Sequence, residues 1–350
     1  MTCAKEGIMP AYEIRAALPS DEDQLLEVAR HLNTVNLPND RGAIREILET
    51  SLRSFDGDIK DPRRREYVFA LRDLADDRVI GTSMVIAQLG RREAPYIYVD
   101  VLEEEKYSAS LDRHFAHTVL RIGYSYNGPT EIGGLILLPE KRRTERLGTF
   151  LSYVRFLYIA AHRAMFRDEV LAELLPPLES DGTSYLWEAL GRHFTGMSYA
   201  EADVLSKKNK EFIKQLFPGE VIYASLLSPQ AQEVIGKVGA QTKGVEKLLR
   251  RIGFRYAHRV DPFDGGPHFT APTDEISLVQ HTRRGAVSAI LDGEPARRGL
   301  VAVDRKGPPF FQAILGGVEV AKDGSMAISR DAANHLELQV GDEVIGLPLE

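Results

Sequence analysis

The sequence predicts a mixed α+β fold that ends in a small β-rich, barrel-like module, on three observations. The apolar run 131–139 is followed by a basic stretch, 140–148, and then by a helical pattern reaching Ala161, so strand, loop and helix stand in immediate succession. The N-terminal part alternates strand, capped-helix and hairpin patterns. From Val301 onward the chain gives short apolar runs separated by Gly and Asp.

Each element has a local reason. Residues 14–18 read as a strand, and Ser20 with Asp23 forms a capping-box pattern ahead of Leu25, Leu26, Val28, Ala29 and Leu32. Residues 67–72 and 79–87 flank the polar turn 73–78 as a β-hairpin, and 56–66, with Pro62 and consecutive arginines, reads as an exposed loop. After the basic stretch, Leu147, Phe150, Leu151, Val154, Leu157, Ala161 and Met165 recur at three- and four-residue steps, so one helix face packs on the sheet. Arg155, His162 and Arg163 fall off that stripe. In the C-terminal part, 301–303, 310–314 and 318–320 are the strand-like runs, 329–335 is a helical turn, and a Gly-Asp-x-Val sequence closes the module.

Composition narrows the class. With 350 residues and 43% hydrophobic content the chain can bury a sizeable core, and two domains are expected rather than one. No apolar run approaches the ~20 residues that span a bilayer, and the first residues lack a basic segment followed by an apolar one. The single cysteine, Cys3, excludes an intramolecular disulfide and a cysteine-rich metal site, which fits a reducing cytoplasm. No metal site is read from the sequence. A formal charge of −7 argues against nucleic acid as a partner.

The basic stretch suits phosphate. Gly148 permits a tight path, the following helix presents its first N–H groups and positive dipole end, and Lys141, Arg142, Arg143 and Arg146 add charge. The spacing Arg143-x-x-Arg146-x-Gly148 resembles the R/Q-x-x-G-x-G/A loop of the GNAT acyl-CoA N-acyltransferases, with Arg146 where that superfamily usually has Gly. A longer string is more specific: 185–194, 196–203, 210–213, 222–223, 231–238, 253–256 and 263–267, together with Leu37-Pro38, Thr130-Glu131, 152–156 and 341–344, resembles the arginine N-succinyltransferase family in order and spacing. The resemblance covers essentially the whole chain.

It implies a GNAT-like fold, no permanently bound cofactor, succinyl-CoA as cosubstrate, and the α-amine of arginine or a related amino acid as acceptor, in arginine catabolism. The implied cofactor-binding residues are Leu135, Leu137, Arg143, Arg146, Leu147, Gly148 and Thr149. The implied organisation is an acyltransferase region, 1–275, with a cofactor-binding core at about 12–170 and an acceptor side at about 171–275, followed by the module 276–350, a structural or oligomerising appendage. A homo-oligomer or pairing with a homologous subunit is expected.

The departures fall on the chemistry. The family's proton-donating histidine lies in a Val-His-Pro-Gln-Thr segment; here Val238-Gly-Ala-Gln-Thr242 stands in its place, and Gly239 carries no proton. An Ala-Glu-Met-Arg-Gly segment is changed to Ala172-Glu-Leu-Leu-Pro176, and a Thr-Ser-Leu-Pro segment to Val35-Asn-Leu-Pro38. Glu131, which opens the central strand, is the first choice for a base or water-holding carboxylate, with His193 and His258 as further candidates for proton transfer. Arg155 and Arg192 are candidates for binding a substrate carboxylate. Asp203, Asp261 and Asp264 read as turn and cap residues, Trp187 as core. The alternative reading is a catalytically impaired homologue that binds acyl-CoA or pairs with an active relative.

Overall fold

The computed structural model describes residues 10–31, 37–142, 146–179, 181–292 and 297–349 and, of residues 207 and 208, the backbone. In chain order the strands are β1 (Tyr12–Ala16), β2 (Glu66–Asp73), β3 (Arg78–Ile86), β4 (Tyr96–Ser108), β5 (Arg113–Ser125), β6 (Thr130–Leu137), β7 (Glu169–Glu173), β8 (Ile222–Tyr223), β9 (Arg255–Val260), β10 (Pro267–Pro272), β11 (Arg283–Leu291), β12 (Arg298–Asp304), β13 (Phe311–Val320), β14 (Met326–Ser329) and β15 (Glu343–Pro348). The first three α-helices are α1 (Glu22–Ala29), α2 (Arg41–Phe55) and α3 (Leu147–Ala161).

Two compact units are built from interleaved stretches: Met1–Ala87, Ile132–Arg167 and Thr273–Glu350 form one, Gln88–Glu131 and Asp168–Pro272 the other. Chain order alone does not show that 88–131 joins 168–272, or that the tail joins the N-terminal stretch.

In the first unit β2 and β3 form the expected antiparallel hairpin, with Val68 opposite Met84. β1 pairs with β2, Ile14 opposite Leu71, and β6 neighbours β3. Tyr67 to Leu71 are buried without alternation, the pattern of a strand covered on both faces. α2 starts where Asp40 Oδ1 accepts the Ala43 N–H at 2.8 Å. The entry to α1 differs from the Ser20/Asp23 capping box: a 3₁₀ turn at Pro19–Asp21 precedes the helix, and Asp21 Oδ2 accepts the Leu18 N–H at 2.8 Å. Pro19 pre-sets the first turn, so the capping carboxylate comes from Asp21.

α3 also departs from the one-face reading. Every residue from Phe150 to Ile159 is buried, because the helix is covered around nearly its whole circumference. Arg155 is therefore not a surface residue; it is 2% exposed.

The tail is a small ring. β12, β15, β11, β14 and β13 pair in that order, and β12 also pairs with β13. Val287, Val301, Ile314, Val318, Met326 and Val344 belong to its core. β13 pairs with β1 as well, Ala313 opposite Ile14, and Phe311 packs edge-on against Phe69 and Tyr158 at 5.7 and 5.3 Å between ring centres. The ring is thereby continuous with the N-terminal sheet.

The second unit orders its strands β7, β10, β9, β4, β5 and β8, with the start of β6 beside β7. Its core includes Ile97, Val99, Leu120, Val260 and Trp187. Trp187 stacks on Phe263 at 5.1 Å and donates its indole N–H to the Met197 carbonyl at 3.0 Å, a core residue as expected.

Candidate active site

Strand register gathers a set of titratable groups in the second unit. β6 and β7 pair in parallel, Glu131 beside Leu171. β7 and β10 pair antiparallel, which places His268 directly opposite Glu173. β9 ends beside β10, Val260 opposite Pro267, and the intervening turn is held by its own acids. Asp261 Oδ1 accepts the N–H groups of Phe263 (2.7 Å) and Asp264 (3.2 Å), and Asp264 Oδ1 accepts that of Gly266 (2.7 Å). These aspartates are turn residues, as their sequence context suggests, and the turn also carries them to the cluster. One ligand-type atom from each of Glu173, Asp261 and His268 lies within 4.8 Å of the others.

The electrostatics of the cluster are those of crowded acids. Burial, then the charges of Glu131 and Asp261, push Glu173 well above the ordinary carboxylate range, against the pull of Lys210. Burial raises Asp261, and burial followed by the Asp261 charge raises Asp264. Glu173 keeps 34% of its side chain open to solvent, while the His268 side chain is fully buried. Such a cluster either holds protons or welcomes a cation.

His268 is held between Tyr96 and Glu173. Burial pushes its pKa down to about 3, so the ring is neutral. Nδ1 lies 2.9 Å from the Tyr96 hydroxyl. The Arg259 charge acts on Tyr96, while its Nε donates to Asp100 Oδ1 at 3.0 Å. Nε2 sits 3.3 Å from Glu173 Oε1, yet it is buried without a directed hydrogen bond. The three donor types would suit a divalent ion.

The remaining candidates are placed as follows. Glu131 is 7% exposed at the start of β6 and close enough to Glu173 to raise its pKa. His193 and His258 are exposed, His258 in left-handed backbone with φ 54°, and neither belongs to the Glu173 cluster. Arg192 is exposed and pairs with Glu188 at 2.8 Å, one helical turn away. Arg155 donates to the Ser152 carbonyl (3.1 Å) and hydroxyl (2.8 Å) and leans on the Gly133 carbonyl (3.5 Å). No carboxylate appears among those partners, and burial pushes Arg155 down to about 9. His268 and Glu173 carry no signal in the sequence, because an acid and a histidine on separate strands give no local motif.

The basic stretch is partly absorbed by the fold. Lys141 Nζ pairs with Asp73 Oδ2 at 2.7 Å and Arg142 Nε donates to the Leu137 carbonyl at 3.0 Å. Arg143 lies outside the described residues. Arg146 caps α3 in left-handed backbone, φ 57°, and its carbonyl accepts the Thr149 and Phe150 N–H groups at 2.8 and 3.1 Å. Leu147 is fully buried, whereas a Cβ at Gly148 would meet nothing within 4 Å. In β6, Leu137 is buried and Leu135 half-buried, just past left-handed Gly134 with φ 56°.

A family profile described as arginine N-succinyltransferase beta subunit matches residues 12–278. The chain belongs to the arginine N-succinyltransferase family. An arginine N-succinyltransferase of Yersinia pestis is 32% identical over 318 residues, covering 88% of this chain and 89% of that one. One from Photorhabdus laumondii is 34% identical over 266 residues, 76% of this chain and 77% of that one. The solved structure of arginine/ornithine succinyltransferase subunit AI from Pseudomonas aeruginosa superposes with a TM-score of 0.82 at 26% identity, covering 97% of this chain and 99% of that one. This arginine N-succinyltransferase family member is an acyltransferase of GNAT-like fold, with a coenzyme A-linked acyl donor. The alternative of an impaired homologue finds no support among these relatives.

Within the family frame two substitutions become physical. The left-handed conformation expected of glycine in the loop is kept at Arg146, at a cost of roughly 1 kcal/mol. At Gly239 the N–H donates to the Leu175 carbonyl at 2.8 Å, and a Cβ would stand 2.6 Å from the Pro176 carbonyl oxygen and 2.9 Å from that of Leu175. The position has closed against any side chain.

Proposed function

We propose that this protein transfers the succinyl group of succinyl-CoA to the α-amine of arginine or a related amino acid, in arginine catabolism. The observation that carries the reading is the acidic cluster of Glu131, Glu173, Asp261 and Asp264, in which the raised pKa values of the last three are relieved by a cationic acceptor. The names of the relatives supply the acyl group and acceptor.

Coenzyme A would lie along Leu135, Leu137 and the 143–149 segment, its pyrophosphate at the start of α3 where N–H groups and helix dipole favour anions. Gly148 leaves open space for it. Glu131 orients the incoming amine or a relay water. Arg155 binds the free carboxylate of the succinyl group, supported by a buried guanidinium whose described hydrogen bonds go to Ser152 and Gly133 alone. The exposed apolar side chains Leu102, Tyr107, Leu111 and Phe115 on the β4–β5 hairpin support association with a second copy or a homologous subunit. No helix among the described residues is long and apolar enough to cross a membrane, and a coenzyme A thioester as donor supports a place in the cytoplasm.

Thiol release from succinyl-CoA and acetyl-CoA, measured against a panel of amino acids, tests the reading. Succinyl-CoA with arginine or a close relative should give the highest kcat/KM. Equal turnover of neutral and acidic amino acids would contradict it.

A further inference from the structure

We propose that Glu173 is the base that takes the proton from the acceptor amine, and that His268 and Tyr96 are positioning residues that aim its carboxylate. The inference rests on the acyltransfer reading above. It stands on geometry from three strands. β7 supplies Glu173, β10 supplies His268 directly opposite, and β4 supplies Tyr96. The Tyr96 hydroxyl lies 2.9 Å from His268 Nδ1, and the ring's other nitrogen, Nε2, fully buried, lies 3.3 Å from Glu173 Oε1.

The division of labour follows from exposure. His268 is sealed from solvent, whereas Glu173 keeps a third of its side chain, 34%, within reach. The groups facing Glu173 are Glu131, Asp261 and Asp264, which hold its proton affinity high, and Lys210, which opposes them. A carboxylate so placed gains basicity toward an ammonium ion. The position is also tied to residue 239: Leu174 and Leu175, next along the chain from Glu173, accept or donate to Gly239 and Pro267 (Gly239 N–H to Leu175 O 2.8 Å, Leu174 N–H to Pro267 O 3.2 Å).

The step balances. The acceptor's α-ammonium gives one proton to a Glu173 oxygen, and the freed amine attacks the thioester carbonyl carbon, forming the C–N bond. Collapse breaks the C–S bond, and the second amine proton leaves on the coenzyme A thiol. Glu173 then returns its proton to solvent.

The test compares wild-type protein with Glu173→Gln, His268→Asn and Tyr96→Phe, each first checked for an unchanged thermal midpoint, by pH profiles of kcat/KM. Glu173→Gln should lower kcat by about 10²-fold or more, leave the KM for succinyl-CoA nearly unchanged, and abolish the acidic limb of the profile. Tyr96→Phe, which keeps the core filled should His268→Asn unfold, should shift that limb with a smaller loss of kcat. A Glu173→Gln enzyme that keeps its turnover and its acidic limb overturns the proposal. So does loss of wild-type activity on chelation with restoration by a divalent cation, since Glu173 would then be a ligand. If the wild type is active on some amine other than arginine, the acceptor reading fails alone, and the same variants decide the role of Glu173 on that amine. A wild type silent with every amine overturns both.

Discussion

His268 and Glu173 face each other across the β10–β7 ladder, with Nε2 3.3 Å from Oε1. Directly paired residues share one sheet face, so backbone register sets this spacing. A histidine that is neutral, sealed and held by a tyrosine is a fixed part of the scaffold, and its cost and use are both measurable.

The cost appears in acid. Burial holds the folded-state pKa of His268 at about 3, below its ordinary 6.5, so between those values the unfolded chain binds a proton that the folded one refuses. Stability is full above the unfolded value and is lost as pH falls through this window, by about 1.4 kcal/mol per pH unit from this group. The raised carboxylates act in the opposite sense, losing stability as pH rises. Denaturant unfolding of His268→Asn at a series of pH values should show a shallower acid slope than wild type. An identical slope would place a charged histidine in the native core.

Gly239→His should not restore a proton donor. The new Cβ would press on two backbone carbonyls, 2.6 and 2.9 Å away, and overpacking of this kind costs about 1–3 kcal/mol. Calorimetric melting should show a lower midpoint, and activity should fall or stay level. A rise in turnover with an unchanged midpoint would mean that residues 175–176 move aside readily.

At Gly148 the expectation is reversed. A side chain there meets no protein atom within 4 Å, so Gly148→Val should fold normally apart from a helix-propensity change of a few tenths of a kcal/mol. Its bulk would occupy the path proposed for the pyrophosphate. Titration calorimetry should show coenzyme A affinity reduced by roughly tenfold or more, the loss of one or more charge-assisted hydrogen bonds. Unchanged affinity would move the cofactor elsewhere.

Arg155→Met removes a buried charge while keeping the packing volume. Stability should hold or rise, as when a buried ionic group gives way to an apolar one. The preference for succinyl-CoA over acetyl-CoA should shrink by about 10- to 100-fold, the worth of a hydrogen-bonded charge. A preserved ratio of kcat/KM values would return Arg155 to a purely structural role.

The strand and helix around residues 130–161 were legible because apolar runs and periodicity are local signals, as was the 66–86 hairpin, whereas in the tail the runs 310–314 and 318–320 join into the single strand β13, which continues through Gly316 and Gly317. The burial of Arg155 is not legible from periodicity, which assumes one buried face, whereas α3 is buried on nearly all of them. Asp261 and Asp264 were read for their turn, which is real, but a turn motif says nothing of which strand end it faces. His268 and Glu173 meet only through the pairing of β7 with β10, a long-range register that no local window contains. His193 and His258 stood out as histidines within family-like segments, yet both side chains are exposed. The loss at Gly239 was visible in the sequence, while the carbonyls that close the position were not.

The most direct test of the central claim is a competition. The purified protein is given equimolar succinyl-CoA and acetyl-CoA with a mixture of basic, neutral and acidic amino acids, and the products are identified by mass spectrometry with fragmentation. Arginine, or a closely related basic amino acid, succinylated on its α-amine should dominate. A dominant acetylated product, or succinylation of a neutral or acidic amino acid, would contradict the assignment of acyl group or acceptor.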